Sequence, residues 1–272
     1  AYAQLVAGHL DIAPERVRVV QGDTDLIRSG AGTGGSSSIP CGGVAVERAS
    51  MALAEQLKTL AADELEAGPA DLEIADGHVR VAGTDRAVSF AELARAAKNP
   101  ELLAAKNKFN PAAPTYPNGT HLVEVEIDPE TGEVEVLNYV VVDDVGATLN
   151  PLMLAGQIHG GAVQGLGQAL SEEAVYDRDS GQLITATLMD YALPHAVDAP
   201  NFTFETRNVP CATNPLGVKG AGEAGAIGSC PAIMNAVADA LWRAYRVRHI
   251  DMPATREKLW RIIAEARRVH TL

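Results

Sequence analysis

Hydrophobic residues recur along the first part of the chain with two different periods. Over residues 1–10, Leu5, Val6 and His9 lie at helical spacing, which predicts an amphipathic helix. Residues 16–23 instead alternate with the two-residue period of a β-strand. A second helix, rich in small residues, is predicted over residues 42–67. The chain is therefore expected to begin as helix, strand, loop and helix.

Turn and capping signals divide the next hundred residues. Two short alternating runs between residues 71 and 81 predict a β-hairpin, because the Asp76-Gly77 pair between them is typical of a two-residue turn. Ser89 is followed three residues later by Glu92, a capping box that predicts the start of a helix. Residues 99–118 are rich in Pro, Ala and Asn, so we expect a connector between two halves.

The second half opens with a longer alternating pattern. Residues 120–128 and 133–146 predict an antiparallel pair, and the length of the second run predicts a central strand. Asp143 and Asp144 close that strand. Because successive strand residues point to opposite faces, we do not expect these two carboxylates to share a site.

A glycine-rich helix is predicted from Pro151 onward. Its five glycines each cost roughly 1 kcal/mol relative to alanine, so we expect another backbone or a ligand to approach closely. His159 is expected to be a packed residue. Gln164 is a candidate contact for the edge of a heterocycle, since an amide offers donors and an acceptor, and an ordinary buried glutamine is the alternative. A strand over residues 201–209 and two final helices, over residues 231–245 and 255–267, complete the pattern.

These elements predict an α+β fold with two subdomains, each a small mixed sheet packed with helices. The net charge of −13 is spread along the chain, which argues against nucleic acid and anionic membranes as partners. No run of 18 apolar residues predicts a membrane span. Cys41, Cys211 and Cys230 are too few and too far apart to indicate a disulfide framework or a zinc site, so a cytoplasmic location is expected.

One stretch, residues 208–228, combines five glycines with a single acidic residue, Glu223, just before an apolar helix. Glycine lets a backbone approach a bound group, so a ligand loop is one interpretation and a tight turn is the other. Gly220, Gly222 and Gly225 also match the dinucleotide fingerprint G-x-G-x-x-G. That motif requires a preceding strand, of which the sequence offers only a short piece.

A second loop, GAGTGGSSS at residues 30–38, leads into the small-residue helix. Small side chains and unpaired N–H groups at a helix entrance favour an anion. No Lys follows the glycines, so this is not a Walker loop, and a flexible linker is the alternative.

Four segments then occur in a characteristic order: GDTDLIRSGAGTGGSSS, VVVDDVGATLNPLMLAGQIHGGAVQGLGQALSEE, MDYALP and TNPLGVKGAGEAGAIGS. Together they resemble the C-terminal part of the molybdopterin-binding large subunit of the xanthine dehydrogenase and aldehyde oxidase family. The resemblance is strongest to the aerobic carbon monoxide dehydrogenase-like branch, and it spans about residues 1–250. Residues 1–110 would then be the first half of the cofactor-binding region, and residues 111–272 the second.

The resemblance implies roles for particular residues. Glu223 matches the family's active-site glutamate, which acts as a base beside molybdenum. Gln164 matches a glutamine that hydrogen-bonds the pterin, and Lys219 and Gly222 line the turn around Glu223. The loop that contacts the molybdenum ligands and the pterin corresponds to Thr33, Gly34, Gly35, Ser36 and Ser38. The pterin dithiolene would hold the metal, with no direct protein ligand.

The resemblance also implies a larger enzyme that oxidises an aldehyde, an N-heterocycle or carbon monoxide with water as the oxygen source. Its cofactor would be molybdopterin cytosine dinucleotide, with 2Fe-2S clusters and FAD on partner subunits. The expected partners are the N-terminal half of the large subunit, an iron–sulfur subunit, an FAD-binding subunit and a small-molecule substrate. Nothing in the sequence matches that N-terminal half, and the chain starts inside a helix, so we expect a fragment, a processed product or a split subunit. A nicotinamide-dependent dehydrogenase and a structural subunit inactive alone are the alternatives.

Overall fold

The computed structural model describes residues 1–27, 30 and 32–270, and it divides into two compact units. The first unit comprises Ala1–Thr115 and Cys211–Val218. The second comprises Tyr116–Pro210 and the chain from Lys219 onward. The assignment of residues 1–110 and 111–272 to two halves of a cofactor-binding region stays a prediction, because compactness does not test what either half binds.

The first unit packs three helices with a small antiparallel sheet. Its elements are α1 (Tyr2–Leu10), α2 (Val44–Glu64), β1 (Leu72–Ala75), β2 (His78–Val81), β3 (Ala87–Ser89) and α3 (Phe90–Ala96). The predicted hairpin turns at Asp76 and Gly77, whose φ angles are 50° and 71°. The predicted capping box is also present, since the Ser89 side chain accepts from the Glu92 N–H and the Glu92 carboxylate accepts from the Ser89 N–H.

The predicted strand over residues 16–23 is wrong. Only Pro14–Arg16 is regular, as a short 3-10 turn, and Val17 continues with an extended backbone. Val19 and Val20 are 44% and 39% exposed. The described strands of the first unit pair only with one another, in the order β1-β2-β3. A β-branched run becomes a strand only where a neighbouring strand is available to pair with it.

A short segment distant in sequence completes the first unit. In Cys211–Val218, Asn214 is 5% exposed and its Nδ2 donates to the Pro40 carbonyl at 2.9 Å. The Asn214 Oδ1 accepts from the Leu216 N–H at 3.0 Å. The Leu216 side chain packs against Gly43, since a Cβ built on Gly43 would lie 3.3 Å from Leu216 Cδ1. The hydrogen bond satisfies a buried amide, so this segment belongs to the core of the unit.

The second unit is built on a three-stranded mixed sheet covered by helices. Its elements are β4 (Asn118–Ile127), β5 (Val134–Asp144), α4 (Pro151–Leu170), β6 (Phe202–Thr206), α5 (Ala224–Tyr245) and α6 (Arg256–His270). As predicted, β5 is central, antiparallel to β4 and parallel to β6. The α+β class is confirmed, and the mixed sheet is that of the second unit, whereas the first sheet is antiparallel throughout.

Helix α5 begins earlier than predicted, at Ala224, so that Pro231 lies inside it. The sequence did not predict these first turns as helix, because Gly225 and Gly228 have low helix propensity. By length and mean hydropathy, 1.2, α5 is the one helix in the described part of the chain that could span a membrane. Its Ile233 and Val237 are fully buried in the core of the second unit, and 28% of its apolar window is buried.

Helices α4 and α5 meet through glycine. A Cβ built on Gly161 would lie 2.7 Å from the backbone nitrogen of Ala226, and one on Gly165 would lie 2.4 Å from the Cβ of Ser229. Gly225 of α5 faces the same contact from the other side. The expected close approach of another backbone is therefore confirmed at these positions.

Adding one methyl group at this contact tests it. We expect Gly161→Ala to lower the free energy of unfolding by about 1–3 kcal/mol, because the added carbon overpacks the α4–α5 contact. Gly156→Ala is the matched control: its Cβ meets nothing within 4 Å, so the variant should keep its stability or gain up to about 1 kcal/mol from helix propensity. Urea unfolding followed by circular dichroism compares the two. Equal effects of both substitutions would contradict the packing argument.

Candidate functional site

Glu223 lies at the N-terminal end of α5, as the residue that precedes its first turn. Gly222 and Glu223 are both exposed, and Ile227, one turn further on, is 72% exposed. The Ile227 N–H donates to the Glu223 carbonyl at 3.0 Å, which starts the helix. The helix macrodipole favours a negative charge at this end. The geometry therefore presents a carboxylate on an exposed face, beside a glycine-rich backbone.

Lys219, in the same turn, is held by the end of β5. Its ammonium donates to Asp144 Oδ2 at 2.5 Å, and the two side chains are only 11% and 15% exposed. The Lys219 N–H donates to the Val145 carbonyl at 2.8 Å. The other carboxylate oxygen of Asp144 accepts from the N–H groups of Gly146 and Val209, at 2.9 and 3.0 Å. The ammonium of Lys219 is thus already paired within the protein.

The hydrogen bonds also set the ionisation of Asp144. Burial raises the pKa of this carboxyl, but the hydrogen bonds from Lys219, Val209 and Gly146 outweigh burial and hold the pKa below its usual range. Asp144 is therefore a charged partner for the ammonium. The sequence pattern did not indicate this pair, because 75 residues separate its members.

Asp143 occupies the opposite face of β5, as the strand period predicts. It is 2% exposed, and its Oδ2 has no hydrogen-bond partner among the described residues. The carboxyl fills the space beside Gly119, where a Cβ would lie 1.7 Å from Oδ1. Burial raises the pKa of Asp143 to about 6. The alternation along β5 could have predicted that Asp143 is buried, since it lies on the same face of the strand as the buried residues Tyr139 and Val141.

Polar side chains also pack beneath the first turns of α5. The His121 Nδ1 and the Tyr139 hydroxyl are 2.9 Å apart, and burial lowers the pKa of His121 and raises that of Tyr139 to about 12. Gly228 leaves no room beside this pair, since a Cβ there would lie 2.5 Å from the His121 ring. The Ser229 hydroxyl donates to the Ala162 carbonyl at 2.7 Å. These contacts fix α5 against both the sheet and α4.

Helix α4 has an open side that bears Gln164. Gly156 and Gly160 lie eight and four residues before it, on the same helical face, and a Cβ at either glycine meets nothing within 4 Å. Gln164 is exposed, so the alternative of an ordinary buried glutamine is wrong. His159 is the expected packed residue, because its ring stacks on Phe202 with centroids 5.0 Å apart.

The Gly-Ser loop, residues 30–38, lies in the first unit. Gly35 and Ser36 have positive φ angles of 57° and 55°, and the hydroxyls of Thr33 and Ser38 are 2.9 Å apart. A Cβ at Gly34 or Gly35 would meet nothing within 4 Å. The loop therefore offers backbone and hydroxyl groups at an open surface, where they can hydrogen-bond a ligand.

A turn of π-helix, Ser38–Gly43, joins this loop to α2. The Tyr2 hydroxyl donates to the Ser38 carbonyl at 2.8 Å and so ties the end of the loop to α1. Three residues of the loop segment quoted above, Arg28, Ser29 and Ala31, lie outside the described residues.

The predicted site residues thus fall into separate groups. Lys219, Gly222 and Glu223 share one turn of the second unit, and Gln164 lies on α4 of that unit. The five loop residues belong to the first unit. Their roles toward a cofactor stay predictions.

The dinucleotide-binding alternative finds no structural support. Among the described strands, β5 and β6 form the one parallel pair. Gly220, Gly222 and Gly225 lie beyond β6, and no strand leads directly into them. A G-x-G-x-x-G motif binds pyrophosphate when it joins a strand to the helix that follows, which is not its setting here.

Comparison with known proteins adds a family. The molybdopterin cofactor-binding domain family matches residues 1–200. A relative from Paenarthrobacter nicotinovorans, 6-hydroxypseudooxynicotine dehydrogenase complex subunit gamma, is 42% identical over 267 residues. That alignment covers 95% of this chain and 33% of the relative.

Solved structures agree with the sequence comparison. The chain superposes on reconstituted CO dehydrogenase from Oligotropha carboxidovorans with a TM-score of 0.82 and 32% identity, over 99% of this chain and 34% of that one. Quinoline 2-oxidoreductase from Pseudomonas putida 86 gives a TM-score of 0.81 and 36% identity, over 97% and 34%. The chain therefore spans about a third of the length of these relatives.

The buried carboxyl of Asp143 predicts a pH dependence of stability. Its folded pKa of about 6 lies above the value of about 3.9 for an unfolded aspartate, so the folded state binds the proton more tightly. Below pH ~4 the free energy of unfolding therefore includes the full contribution of the protonated Asp143 carboxyl. This contribution, on the order of 3 kcal/mol, is lost as pH rises through ~6. Asp143→Asn should remove this loss, as measured by urea unfolding across that range.

Asp177→Asn is the matched control for this measurement. Hydrogen bonds from Ser180 hold the pKa of Asp177 below its usual range, so its contribution is lost only as pH falls through that low value. This variant should follow the parent between about pH 5 and pH 7. If the parent and Asp143→Asn showed the same slope there, the buried-acid assignment would be incorrect.

Proposed function

This chain belongs to the molybdopterin cofactor-binding domain family, and from that premise we propose that it is the C-terminal portion of the large subunit of a molybdenum hydroxylase. The proposed reaction oxidises an aldehyde, an N-heterocycle or carbon monoxide, with water as the oxygen source. The observation that carries the proposal is the exposed carboxylate of Glu223 at the start of α5, in a turn fixed to the end of β5.

The residues fit a flat, anionic, hydrogen-bonding cofactor in two respects. On α4, Gly156 and Gly160 leave helix backbone uncovered next to Gln164, so a planar ring has a surface without side chains and an amide for its edge. In the first unit, the open backbone at Gly34 and Gly35 lies between two hydroxyl side chains. Both arrangements offer hydrogen bonds at short range, which a pterin and its phosphates require.

We assign the following roles on this basis. When bound, the molybdenum cofactor would supply the water-derived oxygen and accept two electrons, while its own dithiolene holds the metal. Glu223 would take up the proton that leaves the attacking water, which is general-base catalysis. Gln164 would orient the pterin through its amide, and Gly222 would leave room beside the carboxylate. The loop residues that would donate hydrogen bonds are Thr33, Gly34, Gly35, Ser36 and Ser38.

The proposed role of Lys219 is to support the turn that carries Glu223. It lines the turn around Glu223, but its ammonium is paired with Asp144 and its N–H with the Val145 carbonyl. It would therefore support the turn through both its side chain and its backbone.

The remaining parts of the enzyme are proposals of the same kind. The cofactor would be the cytosine dinucleotide form, and electrons would leave through 2Fe-2S and FAD groups on partner subunits in the cytoplasm. The rest of the large subunit, including its N-terminal half, would be a further partner, since this chain spans about a third of the length of its relatives. Three of the similar proteins are named for 6-hydroxypseudooxynicotine, quinoline and CO, which supports N-heterocycles and carbon monoxide as the first substrate classes to test.

Cofactor analysis of the natively purified complex is the first test. We expect molybdenum, by mass spectrometry, and CMP, released by acid hydrolysis, in amounts equal to this chain. Co-purification of iron–sulfur and flavin subunits would argue against a structural subunit that is inactive alone. Absence of both molybdenum and CMP, with a chain carrying the N-terminal half present, would refute the cofactor assignment.

Substitution of the proposed base is the second test. Glu223→Gln keeps the size and polarity of the side chain but cannot accept the proton, so turnover should fall by roughly 10²- to 10⁴-fold. Quinoline, benzaldehyde and carbon monoxide would be the probes, with a dye as electron acceptor. Molybdenum content should stay at the parental level.

Glu257→Gln on α6 is the control for this substitution. Glu257 is an exposed carboxylate paired with Arg261, so removing its charge should leave turnover unchanged. Near-parental turnover of Glu223→Gln would remove Glu223 from its role, whatever the cofactor content.

A further inference from the structure

We infer that the Lys219–Asp144 ion pair anchors the turn that carries Glu223, so that Lys219 is a positioning residue and not a cofactor ligand. The inference rests on the proposed function of Glu223 as the base. It assigns a task to Asp144, which lies at the end of β5.

The turn needs an anchor because of its composition. Only Gly220, Ala221 and Gly222 separate Lys219 from Glu223. Glycine has more accessible backbone conformations than other residues, so two glycines in three positions leave the carboxylate poorly positioned by local preference alone. Fixed points on either side of the turn restrict its location further.

The fixed point after Glu223 is the α4–α5 contact. Gly225, two residues further on, packs against the backbone of α4, with a Cβ position 2.4 Å from the Ile158 carbonyl oxygen. Gly228 packs against His121 in the next turn. The start of α5 is thus held on the C-terminal side of Glu223.

The fixed point before Glu223 is Lys219. Both its ammonium and its N–H are bonded to consecutive residues, Asp144 and Val145. Asp144 is itself held by the N–H groups of Gly146 and Val209. A carboxylate with three donors cannot turn away without breaking them, so it can hold the ammonium in one place.

Burial distinguishes this pair from the ion pairs on the surface. Its side chains are 11% and 15% exposed, whereas those of the Arg243–Asp239 pair on α5 are 78% and 54% exposed. Exposed pairs contribute little, but removal of one partner from a buried pair leaves a charge without compensation. Loss of either Lys219 or Asp144 should therefore release the turn.

The test uses the complete complex with Lys219→Met, Asp144→Asn, the double variant, and Arg243→Met as the matched control. Methionine keeps the apolar stem of lysine, and asparagine keeps an oxygen that can accept from Gly146 and Val209. Hydrogen–deuterium exchange of peptides covering residues 217–228 is the first readout. Each single variant should exchange at least ~10-fold faster there, the double variant no faster than either, and the control like the parent.

Kinetics and metal content separate positioning from binding. With the carboxylate misplaced, kcat should fall by roughly 10- to 100-fold in both single variants while KM and molybdenum content stay near parental values. Lys219→Arg, which keeps the charge, should recover most of the exchange protection. If Lys219→Met does not accumulate as folded protein, Asp144→Asn carries the test, because it leaves Lys219 in place.

Two results would overturn the inference. One is loss of molybdenum in Lys219→Met but not in Asp144→Asn, which would make Lys219 a cofactor ligand. The other is parental exchange over residues 217–228 in both single variants. Absence of molybdenum from the parent would refute the proposed function instead, and the exchange data would still decide whether the pair anchors the turn.

Discussion

The contact between α4 and α5 is the constraint on which the second unit depends. Two helices can approach this closely only where side chains are missing, and Gly161, Gly165 and Gly225 supply the gap. The same contact places the start of α5 and therefore the position of Glu223. Gly156 and Gly160 of α4 do not take part in this contact, since they face open space beside Gln164. One glycine-rich helix thus combines a packed side, which places the start of α5, with an uncovered side that bears Gln164.

Adjacent acids at the end of β5 illustrate how the strand period separates two environments. Asp144 keeps its charge because an ammonium and two N–H groups surround it, whereas Asp143 faces the interior, where burial raises its pKa to about 6. The residue types are identical, and the difference arises from the pleat of the strand. In this sheet, hydrogen bonds lower the pKa of Asp144 and burial raises that of Asp143, although the two are neighbours in sequence.

Local sequence signals predicted the elements that depend on local interactions. The Asp76-Gly77 turn and the Ser89 capping box could be predicted because each depends on residues close together in the chain. The central place of β5 was indicated by the length of its alternating run, although its partner β6 is distant in sequence. The strand expected over residues 16–23 was wrong, since a strand requires a partner that no local pattern reveals. The Lys219–Asp144 pair was hidden for the same reason. Glu223 could be singled out by its glycine-rich surroundings, but what fixes its turn became visible only in the fold.

The first unit is discontinuous along the chain, and this has a consequence for the order of folding. The buried Asn214 amide that binds the Pro40 carbonyl lies in Cys211–Val218, so nearly a hundred residues of the second unit are synthesised before the first can close. Closing such a long loop is entropically unfavourable and slow compared with forming local contacts. During synthesis the first unit therefore stays incomplete, with the Pro40 carbonyl hydrogen-bonded to water in place of Asn214, until most of the second unit has been made.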